Sequence, residues 1–363
     1  MTLPRLSPFL DELSAYRPSE GVHAATRTLP LSANESPHTP LPGIAAAVAA
    51  AGQDVNRYPD PECRDLTRVL AGHLGVDPDR IVVGAGSVAL LQTLFQAVAG
   101  PGAEAVYGWR SFEVYPVLAG LAGVRSVQVP LTGEAHDLTA MADRITDATR
   151  LVIVCNPNNP TGTVVSHDDL TAFLARVPPT CLVALDEAYA EYVRDPRSAD
   201  GLAVAAHHPN VVVLRTFSKA YGLAALRVGY LVGDPRVVAL LRRACLVYAV
   251  NSAAQTSAVA ALGLRDALLE RVESTVTERV RVRAALLAQG ERVPDSQANF
   301  LWLRLGARAA AFGTWCADHG ISVRVFPGEG VRVSVGSPDD NDAFVRVAGG
   351  FRARGRAVAP SGA

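Results

Sequence analysis

Between residues 44 and 245 one pattern repeats: a short run rich in Val, Ile and Leu, then a longer stretch with helical spacing of its apolar residues. The runs are "IVVG", "EAVYG", "SVQVP", "LVIVCNP", "CLVALDEAY", "VVVLRTF" and "RVGYLVG". Near-continuous apolar runs suit strands buried on both faces, and helical spacers allow neighbouring strands to run parallel. The pattern predicts an α/β domain with a mostly parallel central sheet.

The remainder of the chain reads differently. A helical stretch over about 253–289 leads to "NFLWLRL", "ISVRV" and "GVRVSVG", more closely spaced, and then to a last helix from about Asp339. Clustered strands flanked by helices predict a smaller α+β domain. With 363 residues to divide, the expectation is two domains. Residues 44–250 would form a large domain and 251–363 a small C-terminal one. Residues 1–43, rich in Pro and polar side chains, would form an arm belonging partly to the small domain or packed on another subunit.

Composition narrows the function. Lys plus Arg number 34 against 35 Asp plus Glu, which leaves no electrostatic footprint for nucleic acid or a membrane surface. The five cysteines lack CxxC spacing, so neither a metal site nor a disulfide framework is expected. Asp11 and Glu12 interrupt the N-terminal stretch where a signal peptide would be apolar, and no apolar run approaches the ~18 residues of a membrane span. A cytoplasmic protein is expected.

In parallel α/β sheets ligands bind beyond the carboxyl ends of the strands, so the polar residues closing each apolar run carry the functional information. "LVIVCNPNNPTG" closes with Asn158, Asn159 and Thr161, and "CLVALDEAY" with Asp186, Glu187 and Tyr189. "VVVLRTFSK" closes with Thr216, Ser218 and Lys219, and "IVVGAGSVALLQ" turns through Gly84, Gly86 and Ser87 into a helix. Each has an ordinary reading alone: a turn, a helix cap, a solvated lysine. As a set they match the needs of a pyridoxal phosphate site, which uses an amine for the aldehyde, an acid for the pyridine nitrogen, and N–H groups with a cation for the phosphate. Arg227, following Lys219 at the start of "RVGYLVG", could reach a phosphate beside Ser218, with the helix opening at Ser87 adding its dipole.

These motifs, with "LSANESP", "NRYPDPECRDL", "GWRSFEVYP" and "QANFLWL", run nearly the whole chain. The sequence resembles the fold-type I pyridoxal-phosphate aminotransferases, in the branch that holds the histidinol-phosphate and aromatic amino acid aminotransferases. The resemblance implies pyridoxal 5′-phosphate held in an aldimine on Lys219, which also carries the proton in catalysis. It implies Asp186 on the pyridine nitrogen, Asn159 and Tyr189 on the ring oxygen, and Phe112 stacked on the ring. Gly86, Ser87, Thr216, Ser218 and Arg227 would hold the phosphate, and Tyr58 would reach the phosphate of a partner subunit in a homodimer. Arg332 would bind the substrate's carboxylate, or the phosphate of histidinol phosphate; Arg324 is a second candidate for an anionic group, and Asn34 would lie near the substrate.

The implied reaction is a ping-pong exchange between an aromatic amino acid, or histidinol phosphate, and a 2-oxo acid. "GWRSFEVYP" and "GAGSVALLQ" lean towards the aromatic members, and Phe112, Tyr115 and Tyr16 could line an aromatic pocket. "SANESPHTPLP" departs from those members and leaves a specialised biosynthetic substrate open. Three rivals rank lower. "GAGSVA" fits a dinucleotide fingerprint with Glu104 as the ribose acid, a threonine-phosphate decarboxylase shares the cofactor chemistry, and a cofactor-sensing regulator would need a DNA-binding extension.

Overall fold

The computed structural model describes residues 9–12 and 28–358. The strands are β1 (Leu29–Pro30), β2 (Ile81–Gly84), β3 (Glu104–Trp109), β4 (Arg125–Pro130), β5 (Thr149–Cys155), β6 (Leu182–Asp186), β7 (Val211–Thr216), β8 (Gly229–Val232), β9 (Phe300–Leu303), β10 (Ile321–Ser322), β11 (Arg324–Phe326) and β12 (Gly330–Ser334). A seven-stranded sheet in the order β2-β8-β7-β6-β5-β3-β4 forms the centre. Its pairs are parallel except for those made by β8, which runs against β7 and β2.

Strand alternation explains why both faces are covered. Leu151, Ile153, Ala184, Val212 and Leu214 pack on one face with the helices Ser87–Val98, Val114–Leu121 and Pro235–Ala244. The intervening Val152, Val154, Val183, Leu185, Val211 and Val213 pack on the other with Leu138–Asp143, His167–Leu174 and Gly201–His207. With both side-chain sets buried, the runs lose polar alternation and read as continuous apolar segments.

A second sheet, β11-β12-β9, is antiparallel and packs with the helices Arg265–Ala288, Ala309–Asp318 and Pro338–Val358. "ISVRV", which reads as one strand, divides between two sheets. Its first part, β10, pairs in parallel with β1, while β11 pairs with β12. The N-terminal segment captures Ser322, whose carbonyl accepts from Leu31 N–H at 3.0 Å. The expected helical stretch is likewise two helices, Ser252–Leu262 and Arg265–Ala288, parted at Gly263. The first packs with Ile44–Ala51 and Arg64–Leu74 in a third core.

β7 and β8 are antiparallel neighbours, so the chain can pass between them without a crossover helix. The intervening residues 217–228 form a turn at the carboxyl end of β7, and this turn carries Lys219. The same sheet edge receives the ends of β2, β3, β5 and β6.

Candidate active site

At the end of β6, alternation sends two adjacent acids into different surroundings. Glu187 is buried and structural: it accepts from Arg215 at 2.8 and 3.0 Å and from the Gly201 amide at 2.9 Å. Asp186 accepts the Tyr115 hydroxyl at 2.6 Å through Oδ2, while its buried Oδ1 has no hydrogen-bond partner. Burial pushes this carboxyl up to about 6. A buried, unpaired carboxylate oxygen costs several kcal/mol of solvation unless a cation or donor meets it, on the order of 1–3 kcal/mol for even a neutral group.

Lys219, half-buried in its turn, donates from Nζ to the Ala33 carbonyl at 2.9 Å. Burial first, then the positive Arg332, lowers its pKa to about 7; Glu35 opposes them, and Arg227 adds a smaller lowering effect. Near neutral pH a large fraction of such an amine is unprotonated and nucleophilic.

Beside it lies a cup of amide, hydroxyl and guanidinium groups suited to an anion. The helix Ser87–Val98 opens without a side-chain cap, leaving its first amides available. Gly86 takes φ 82°, which favours glycine, and a Cβ there would stand 2.6 Å from Arg227 Nη2 and push the guanidinium aside. Arg227, itself at φ 57°, donates to Ser218 Oγ at 3.4 Å and to the Ala224 carbonyl at 2.9 Å. Thr216 Oγ1 donates to Ser218 Oγ at 3.0 Å, and both side chains are buried.

The N-terminal arm and the second sheet close the other side. Arg332 donates to Asn159 Oδ1 at 2.5 Å and to the Ser32 carbonyl at 2.7 Å. Asn34 donates from Nδ2 to the Tyr189 hydroxyl at 3.0 Å, and its own carbonyl accepts from Asn299. Burial pushes the Tyr189 phenol up to about 12, keeping it protonated. Phe112 meets Tyr115 edge-on at 5.6 Å. Arg324 forms a two-point ion pair with Glu113, at 2.7 and 3.1 Å.

The structure thus gathers Lys219, Asp186, Tyr189, Asn159, Asn34 and Arg332 at one edge, with Gly86, Ser87, Thr216, Ser218 and Arg227 as the cup. Tyr58 stands apart: it is 81% exposed and stacks on Tyr248 at 4.6 Å. Tyr16 lies outside the described residues. Tyr115, expected as a pocket wall, is fully buried and bound to Asp186, and Glu113 was not singled out by sequence reasoning. Neither role has a local sequence signal, because each depends on a contact made across the fold. Asn158 is an internal brace, donating to Thr161 Oγ1 at 2.9 Å and accepting from Ser111 at 2.7 Å.

Glu104, the ribose acid of the dinucleotide reading, opens β3 and is held by Arg125 and Thr146. It sits at the opposite end of its strand from the polar edge. An amine of lowered pKa, an unpaired buried acid and a cationic cup fit pyridoxal phosphate, and together define a site of that cofactor's class.

Residues 26–347 match the family "Aminotransferase class I and II". The chain is 56% identical to an aromatic amino acid aminotransferase of Thermobifida fusca over 95% of this chain and 96% of that protein. It is 51% identical to one of Streptomyces coelicolor over 97% and 98%. The histidinol-phosphate aminotransferase of Sinorhizobium meliloti, solved in complex with pyridoxal-5′-phosphate, superposes with a TM-score of 0.90 at 28% identity, over 97% of this chain and 99% of that one. The chain belongs to the class I and II aminotransferases, and is a pyridoxal-phosphate-dependent transaminase of fold type I.

Proposed function

We propose that the amino donor is an aromatic amino acid and the acceptor a 2-oxo acid, exchanged by a ping-pong mechanism. The names of the relatives at 51–56% identity support the donor class. The observation that carries the mechanism is the unpaired, buried Oδ1 of Asp186 on the same sheet edge as the Lys219 amine.

Pyridoxal phosphate, when bound, supplies an aldehyde that condenses with amines and a ring that withdraws electrons from the substrate's Cα. Asp186 would hold the pyridine nitrogen through Oδ1, with Tyr115 fixing its carboxylate. Asn159 and Tyr189 would donate to the ring oxygen, and Phe112 would supply an apolar wall for the ring. Gly86, Ser87, Thr216, Ser218 and Arg227 would hold the phosphate. Arg332 would orient the donor's carboxylate, with Asn34 beside it. Lys219 Nζ would take the proton from the donor's Cα.

A histidinol-phosphate donor is the second reading. It draws on Arg324 standing opposite Arg332 in the β11–β12 register, but the Arg324 guanidinium is engaged by Glu113.

We also take the chain as a homodimer in the cytoplasm, with domains 44–250 and 251–363 and an N-terminal arm. Exposed Val55, Tyr58, Leu246, Val247 and Tyr248 support the dimer. This surface continues through Asn251, which donates to the Leu226 carbonyl at 3.3 Å, to the residue before Arg227. A partner's Tyr58 at the phosphate would suit that continuity. Among the described residues no helix is long and apolar enough to cross a membrane.

Lys219→Ala tests the mechanism. The variant is expected to lose the lysine-linked cofactor absorbance and all but a trace of turnover, a fall of at least a thousandfold. Retained turnover would remove Lys219 from the reaction.

A further inference from the structure

We infer that Glu113 is a specificity-determining residue, an internal counter-anion with which any second acidic group on a substrate must compete for Arg324. The inference rests on the aminotransferase reading above.

Arg324, Arg332 and Trp302 are cross-strand partners in consecutive register on β11, β12 and β9. Directly opposed residues project from the same face of a sheet, and this face meets the seven-stranded sheet's polar edge. Arg332 touches Asn159 there, while Arg324 touches Glu113. Glu113 directly follows Phe112 and opens the helix whose Tyr115 holds Asp186. The pair therefore stands in the wall between substrate-facing elements, not on a remote surface.

Arg332 donates to a side-chain amide and to a backbone carbonyl. Arg324 donates through Nε and Nη2 to both oxygens of a carboxylate, the geometry a guanidinium would otherwise offer to a substrate carboxylate or phosphate. Glu113 thereby offsets the charge of Arg324. A donor with one carboxylate and an uncharged side chain needs only Arg332; a donor with an acidic side chain must displace Glu113 and leave that carboxylate repelled. With the two side chains 19% and 36% exposed, the competition is partly screened, and a tenfold effect corresponds to about 1.4 kcal/mol.

The test compares holoenzymes: wild type, Glu113→Gln, Arg324→Met and the double variant. For each, kcat/KM is measured with L-glutamate and L-phenylalanine, and the dissociation constants of glutarate and 3-phenylpropionate are measured without turnover. Glu113→Gln is expected to raise the glutamate-to-phenylalanine ratio tenfold or more and to tighten glutarate in parallel. Adding Arg324→Met should abolish both gains. An unchanged ratio, with all substrates slowed alike, would make the pair a simple clasp between sheets and overturn the inference. A gain that survives in the double variant would overturn it too, since the new anion site would not be Arg324. Failure of wild-type enzyme to turn over phenylalanine would instead count against the aromatic donor.

Discussion

Asp186 is a side chain whose burial is costly for folding and whose proposed role is to hold the cofactor. Its carboxyl is pushed up to about 6 from an ordinary 3.8, so the folded cofactor-free protein binds this proton more tightly than the unfolded chain. Folding stability is then lost as pH rises from the unfolded value through the folded one, by roughly 3 kcal/mol. Asp186→Asn removes that charge while leaving an oxygen for the Tyr115 hydroxyl. In the cofactor-free state the variant should gain stability over wild type on going from pH 4 to pH 8, read by chemical denaturation at each pH. It should also bind pyridoxal phosphate more weakly and transaminate more slowly. A stability difference that does not vary with pH would mean that Asp186 is not held against its charge.

At the scale of elements, the sequence was informative wherever burial acts on a whole segment. Strands buried on both faces show up as apolar runs, and the residues that end them fall on one edge because parallel strands share a direction. That makes Lys219, Asp186 and Asn159 legible together although they are far apart in the chain. The division of "ISVRV" was hidden, because the pairing of Ser322 with the arm and of Arg324 with Arg332 is a tertiary choice among partners. The same limit applies to the site. The lysine turn and the glycine before Ser87 leave local signatures, whereas the bonds from Tyr115 to Asp186 and from Glu113 to Arg324 join segments that no local pattern relates.

For the whole molecule, the arm and the two sheets surround the Lys219 amine, while Tyr58 and Tyr248 stack on an exposed surface, where the proposed dimer would place a second copy. Sedimentation should give twice the 38.2 kDa chain mass, and Leu246→Glu should dissociate the dimer with loss of cofactor affinity; a fully active particle of one chain mass would contradict that arrangement. The central claim is amino transfer from an aromatic donor, and a single half-reaction addresses it. Purified holoenzyme is mixed with L-phenylalanine without any acceptor, and the visible absorbance of the bound cofactor is followed while the product is identified. The account predicts rapid bleaching with stoichiometric release of phenylpyruvate. Absence of bleaching by phenylalanine, with bleaching by histidinol phosphate, would contradict it.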